Sequence, residues 1–195
     1  MATLMLSALP IMSWGQAKPG QPAPAFEVKD AAGKSHQLSG MAGKWVVLEW
    51  YNKDCPYVKK HYGSKNMQAL QKTYTSKGVT WLTVISSAKG TQGYLEPAAA
   101  LKNAKEQGSG ASAVLLDTDG VMGKAYGAKT TPHMFVIDPT GKIVYAGAID
   151  DNDSSDPSVI AKSKNHVSAA LDEAMAGQKV TVASSRPYGC SVKYQ

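Results

Sequence analysis

The chain is poor in the residues most often recruited for chemistry. Only two of its 195 residues are cysteine, Cys55 and Cys190, and its one arginine, Arg186, lies near the end. With Val58 three residues after Cys55, dithiol exchange within that turn is excluded. No Lys/Arg-rich run with interleaved aromatics is present. The formal net charge of +6 therefore comes from scattered lysines and describes a solvated surface, not a nucleic-acid interface. No apolar run reaches the ~20 residues of a membrane-spanning helix. Internal repeats, low-complexity tracts and an interdomain linker are also missing. What remains is one compact domain, long enough to bury a sizeable core.

The first segment stands apart. Leu4 to Trp14 is apolar except at Ser7, Pro10 and Ser13, and Gly15-Gln16-Ala17 ends on a small residue. This matches the hydrophobic region and cleavage end of a secretory signal peptide, without the usual preceding basic residues. The expectation is residues 1–17 as a signal, export to a periplasm or the extracellular space, and a mature domain over 18–195 with an extended C-terminal tail. After cleavage no membrane association is expected.

Along the mature chain, Phe26 to Lys29 and Ser35 to Leu38 read as two strands about the Asp30–Lys34 turn. Trp45 to Tyr51 has no polar alternation and suits a central strand covered on both faces. A helix is expected from Pro56, broken near Gly63 and resuming to about Lys77. Val79 to Ile85 is a buried strand, Glu96 to Gln107 a helix and Ala113 to Leu116 a short strand. Val121 to Tyr126 reads as a short helix stopped by Gly127. Met134 to Ile137 and Lys142 to Ala146 form a hairpin around Asp138-Pro139-Thr140-Gly141. Ile160, Val167, Leu171 and Met175 share a helical face, predicting one last helix over Ser158 to Met175, stopped by Gly177. Strand–helix alternation ending in a hairpin implies an α/β fold, a central mixed sheet with helices on both faces. In such sheets reactive groups gather beyond the carboxyl ends of strands, and Cys55 lies just past one.

Pro56 suits the first position of a helix and makes Cys55 its natural N-cap. The sulfur would face the free backbone N–H groups of Tyr57 and Val58 at the positive end of the helix dipole. Lys53, Lys59, Lys60 and His61 would add positive potential, with Asp54 opposing. The expected net result is a lowered thiol pKa and a nucleophilic thiolate; the alternative is an inert capping cysteine. Thr130-Thr131-Pro132-His133, entering a strand directly, makes the Thr131–Pro132 bond a candidate cis peptide, against the alternative of an ordinary strand-entry proline.

Taken together these segments resemble the thioredoxin-like superfamily, on its redoxin and peroxiredoxin-like (AhpC/TSA-type) side. The lead-in Pro22-Ala23-Pro24-Ala25-Phe26, the Trp50–Val58 turn, Tyr126-Gly127-Ala128, Thr131-Pro132 and Phe135 to Lys142 carry the resemblance. Ala146 to Asp151 and the terminal Gly189-Cys190-Ser191-Val192-Lys193-Tyr194 resemble one peroxiredoxin-like subgroup. The resemblance implies a thioredoxin-like fold and a thiol oxidoreductase. Cys55 would attack a peroxide or a disulfide, Cys190 would resolve the product, and a reducing thiol partner would close the cycle, with no cofactor. Pro132 would shape the pocket, with Thr131 and Asn52 as lesser contributors. Asn52 stands where peroxiredoxins place a threonine, and Arg186 is not where they place their arginine. The alternatives left open are a structural Cys55–Cys190 disulfide, two unpaired thiols, and a non-catalytic binding or scaffold protein or metal carrier on the same fold.

Two further clusters carry less. Asp150 to Asp156 is dense in oxygen ligands but lacks the glycine and distal glutamate of an EF-hand, so a solvated acidic loop is expected. Cys55 with His61 and His133 would be a soft metal set lacking the second nearby cysteine such carriers use, so no metal is expected.

Overall fold

The computed structural model describes residues 17–195. The expected signal segment therefore lies outside the described residues, save for Ala17.

The core is a five-stranded mixed sheet. In chain order, the strands β1 (Glu27–Lys29) and β2 (Ser35–Gln37) form a small antiparallel hairpin that leads into the domain. Then come β3 (Val46–Trp50), α1 (Pro56–Gly63), α2 (Asn66–Ser76), β4 (Thr80–Ile85), α3 (Pro97–Gln107), β5 (Ala113–Leu116) and α4 (Val121–Tyr126). The chain continues through β6 (Thr130–Thr131), β7 (His133–Ile137), β8 (Ile143–Gly147), α5 (His166–Met175) and β9 (Cys190–Ser191). The main sheet has the order β5-β4-β3-β7-β8. Strand β3 runs parallel to β4 and antiparallel to β7, with Trp50 opposite Val84 on one side and His133 on the other.

This order explains the composition of β3. As the central strand it is buried along its whole length, so both faces must be apolar. Val47, Trp81, Met134, Val136 and Tyr145 pack under α1, α2, α3 and α5. Val46, Leu48, Trp50, Leu82, Val84 and Phe135 face the other way, onto Met122 and Tyr126 of α4 and onto Phe26. The fold is α/β and thioredoxin-like, with helices on both faces.

One expected element is different. The apolar spacing from Ile160 to Met175 does not make one helix. A 3-10 turn spans Pro157–Lys162, Ser163 is extended, and α5 begins only at His166. Two capping side chains cause the split. Asp156 accepts from the Ser158 N–H, and Asn165 accepts from the Ser168 N–H at 2.9 Å, starting a second helix. Just after the second cap the backbone is tied to the segment beyond β8 by His166 N–H donating to the Ile149 carbonyl.

Candidate active site

The site is assembled where β3 ends. The Tyr51 N–H donates to the Val84 carbonyl, holding the strand in the sheet to its last residue. The chain then turns: Cys55 N–H bonds to the Asn52 carbonyl, and Asp54 N–H to Asn52 Oδ1 at 2.9 Å. Cys55 occupies the N-cap of α1 with extended backbone, and Pro56 opens the helix.

The Cys55 thiol is buried, and it does not cap the helix in its neutral form. Its Sγ–H donates to the Thr131 carbonyl at 2.9 Å, across a sequence separation of 76 residues. The Thr131–Pro132 bond is cis. Thr131 also fixes the second cysteine. Strand β9 pairs antiparallel with β6, setting Cys190 directly opposite Thr131, and the Thr131 hydroxyl donates to the Cys190 carbonyl at 3.4 Å. Cys55 and Cys190, 135 positions apart in sequence, are thereby brought to the same residue, Thr131.

Their electrostatics are asymmetric. Burial works against a Cys55 thiolate. Donors that would stabilise a thiolate there, the Cys190 thiol and N–H, the Val58 N–H and Thr131, outweigh it and hold Cys55 below the ordinary thiol pKa. Burial and the adjacent Cys55 sulfur push Cys190 up to about 11, with Lys193 opposing. The two thiols are thus shifted in opposite directions, Cys55 toward the thiolate and Cys190 away from it.

The source of the lowered pKa matches expectation at the Val58 N–H but not at the lysines and His61. Lys53 is paired with Asp54 at 2.7 Å. Lys60 is buried against Asp150 at 3.4 Å and donates to the Asn152 carbonyl at 2.8 Å. His61 is buried, and desolvation lowers its pKa to about 4, with Asp150 opposing and Lys60 reinforcing. Desolvation likewise brings His133 down to about 4, and its Nδ1 accepts from the Lys129 N–H. Neither ring carries charge at neutral pH. The groups that favour the thiolate are thus Cys190, Val58 and Thr131, not the lysines.

Pro132 follows the carbonyl that holds Cys55, at the edge of the site. Asn52 shapes the turn. Its side chain bonds Asp54 N–H and the Gln92 carbonyl, and is packed so closely on Gly93 that no Cβ fits there. Neither of those side-chain bonds reaches the Cys55 sulfur. Arg186 lies on the tail, lining an open groove of about 600 Å³ with Tyr57, Thr130, Asp153, Tyr188 and Gly189. This groove borders the two cysteines through Thr130 and Gly189. The 150–156 segment is not wholly solvated, since Asp150 is buried in the contact with Lys60.

Two features of the region escape a reading of the sequence. Glu49, in the middle of β3, is fully buried and takes hydrogen bonds from Tyr62, Trp81 and Gln71. Burial raises its pKa against those bonds. The lone carboxylate in Val46-Val47-Leu48-Glu49-Trp50 was its available signal. Tyr188 anchors the tail to α1, and nothing in its sequence context marks it.

A five-stranded sheet of this order, with a cysteine at the mouth of α1 and a cis-proline loop against it, defines a thioredoxin-like protein. A family model described as the AhpC/TSA family matches residues 19–146, and the chain belongs to that family. It is 31% identical over 125 residues to the thiol-disulfide oxidoreductase ResA of Bacillus subtilis (strain 168), an alignment covering 64% of each protein. It is 30% identical over 125 residues to the ResA of Bacillus cereus (strain ATCC 10987 / NRS 248), covering 64% of this chain and 66% of that one. The chain thus matches a little under two thirds of the length of these relatives. Among solved structures, an uncharacterized conserved protein from Geobacillus kaustophilus superimposes with a TM-score of 0.80 at 27% identity, covering 92% of this chain and 94% of that one. The thioredoxin domain of a thiol-disulfide oxidoreductase from Bacteroides vulgatus shares the fold, with a TM-score of 0.53 at 24% identity over 74% and 96% of the two chains. No helix among the described residues is long and apolar enough to cross a membrane.

Proposed function

We propose that the protein is an exported thiol oxidoreductase that reacts with disulfides through Cys55 and is resolved by Cys190. The observation that carries this reading is the convergence of both cysteines on Thr131, the Cys55 thiol on its carbonyl and Cys190 opposite it in the β6–β9 pair, with the Cys55 pKa lowered and that of Cys190 raised to about 11. Export rests on the Leu4–Ala17 segment.

The reaction follows from that asymmetry. The Cys55 thiolate attacks one sulfur of a substrate disulfide. A Cys55–substrate bond forms, the substrate S–S bond breaks, and the first substrate thiol leaves with a proton. The Cys190 sulfur, losing its proton, then attacks Cys55 Sγ. The Cys55–Cys190 bond forms and the second substrate thiol leaves. The protein is oxidised by two electrons and the disulfide reduced to two thiols; a reducing thiol partner reverses the protein's change. Thr131 and Pro132 line the site where the mixed disulfide sits.

A disulfide is favoured over a peroxide as the oxidant. The side chain of Asn52 is occupied by Asp54 N–H and the Gln92 carbonyl, and Arg186 sits in the tail groove. Neither makes a hydrogen bond to the Cys55 thiol, which bonds the Thr131 carbonyl. Mass spectrometry after a brief pulse of glutathione disulfide, and separately of hydrogen peroxide, tests the reading. Glutathione disulfide is expected to yield the Cys55–Cys190 bond rapidly, with peroxide slower, and Cys55→Ser to abolish both. Indifference of the wild type to both oxidants would leave a binding or scaffold protein.

A further inference from the structure

Tyr188 stands two residues before Cys190 and is gripped by a buried polar cluster. Its hydroxyl donates to Asp150 Oδ1 and lies 3.0 Å from His61 Nε2. Its ring packs 5.6 Å from that of Tyr57, with Lys60 Nζ 5.3 Å from its centroid. Asp150 is fixed in turn by Lys60, both side chains being buried. Gly189 then bridges to Cys190 at a φ of +136°, where an added Cβ would collide with the Thr131 carbonyl. The span Tyr188-Gly189-Cys190 is thus pinned at one end to α1 and Asp150, and at the other to β6. None of the cluster's hydrogen bonds reaches either sulfur.

Desolvating a lysine and an aspartate brings little net stability over an apolar replacement, and a buried pair of this kind is better suited to fixing a register. Here the register it fixes is that of the tail.

We propose that Tyr188, seated on the buried Lys60–Asp150 pair, is the positioning residue for Cys190: it sets the effective concentration of the Cys190 thiol at Cys55. It thereby sets the stability of the disulfide between them. The inference rests on the two-cysteine reading above. The step it governs is the second one, in which Cys190 sulfur bonds to Cys55 Sγ and the substrate sulfur leaves, the proton lost from Cys190 being taken up by the departing thiolate.

Equilibration of the full chain in glutathione buffers, with the Cys55–Cys190 bond quantified by mass, measures that effective concentration directly. Tyr188→Phe keeps the ring packing and loses the bond to Asp150. It is expected to lower the effective concentration about tenfold, the weight of a hydrogen bond to a charged group, which moves the potential upward by about 30 mV. Tyr188→Ala is expected to lower it further. In a Cys190→Ser background, Tyr188→Phe is expected to leave the rate of Cys55 attack on glutathione disulfide unchanged, which separates positioning of Cys190 from a general structural role. An unchanged effective concentration in Tyr188→Phe overturns the inference, as does an equal loss of Cys55 reactivity in both backgrounds. If the wild type forms no Cys55–Cys190 bond in these buffers, it is the two-cysteine reading that fails.

Discussion

At the scale of the residue, the proposed site holds two identical functional groups made unequal by their surroundings. Cys55 lies where a strand ends and a helix begins, and its thiolate is favoured by donors from Cys190, Val58 and Thr131. Cys190 bears the cost of proximity, since a thiolate there would face the Cys55 sulfur in a partly desolvated setting. The sign of the pH dependence follows. A group with a lowered pKa becomes nucleophilic at a pH below that of a free thiol, and one with a raised pKa remains protonated above it. In a pH series of alkylation by a small haloacetamide, Cys55 in Cys190→Ala and Cys190 in Cys55→Ser isolate the direct partner effects. In the wild type, Cys55 is expected to show a midpoint below the ~8.5 of a free thiol and Cys190 one above it. Replacing Cys190 by alanine takes away the side-chain donor, so the Cys55 midpoint is expected to rise in Cys190→Ala. Cys55 was legible as a candidate because strand, cysteine, proline and helix are contiguous. The cause of its shift was not, because the donors come from residues 58, 131 and 190 and only the first is local.

At the scale of the element, most boundaries follow from local chemistry. Pro56 opens α1, Pro97 opens α3, and Gly127 in a left-handed conformation ends α4. The interrupted final helix shows where periodicity misleads. Ile160 and Val167 have helical spacing, yet Asn165 begins a new helix between them by capping Ser168. A capping residue in the middle of a periodic pattern competes with continuation, and the contact of His166 N–H with the Ile149 carbonyl decides the outcome. Asn165→Ala is expected to cost about 1 kcal/mol of stability, read as a shift in the urea midpoint with unchanged slope. The same competition operates in β3. An apolar strand was legible from its run of hydrophobics, but the tolerance of Glu49 within it depends on Tyr62, Gln71 and Trp81 arriving from α1, α2 and β4.

At the scale of the whole molecule, the C-terminal tail is a structural part of the site. Ser185 bonds Tyr145 Oη at 2.7 Å and the Ala148 N–H at 2.9 Å. Lys193 accepts from Ala88 N–H, and Tyr194 donates to the Ala128 carbonyl at 2.8 Å while its ring lies over Gly120 and Gly123. The tail crosses the edge of the site between these anchors and joins the cover over Cys55. Deletion of residues 186–195 removes Cys190, Tyr188 and Tyr194 together. The truncated protein is expected to alkylate at Cys55 faster than Cys190→Ser does at equal pH, and to unfold at lower urea. Equal rates would show that the tail does not shield the sulfur.

What the sequence by itself determined is local in origin: the alternation of strands and helices, the buried central strand, the cysteine at a helix mouth and the proline before β7. Each depends on neighbours within a few positions, where backbone propensity, capping and apolar spacing act. The placing of Cys190 opposite Thr131, the neutral state of His61, the burial of Asp150 and the seat of Tyr188 were decided only by tertiary structure. Each requires desolvation or a contact between segments many tens of residues apart, and the free energy of such a contact depends on what surrounds it once the chain has closed.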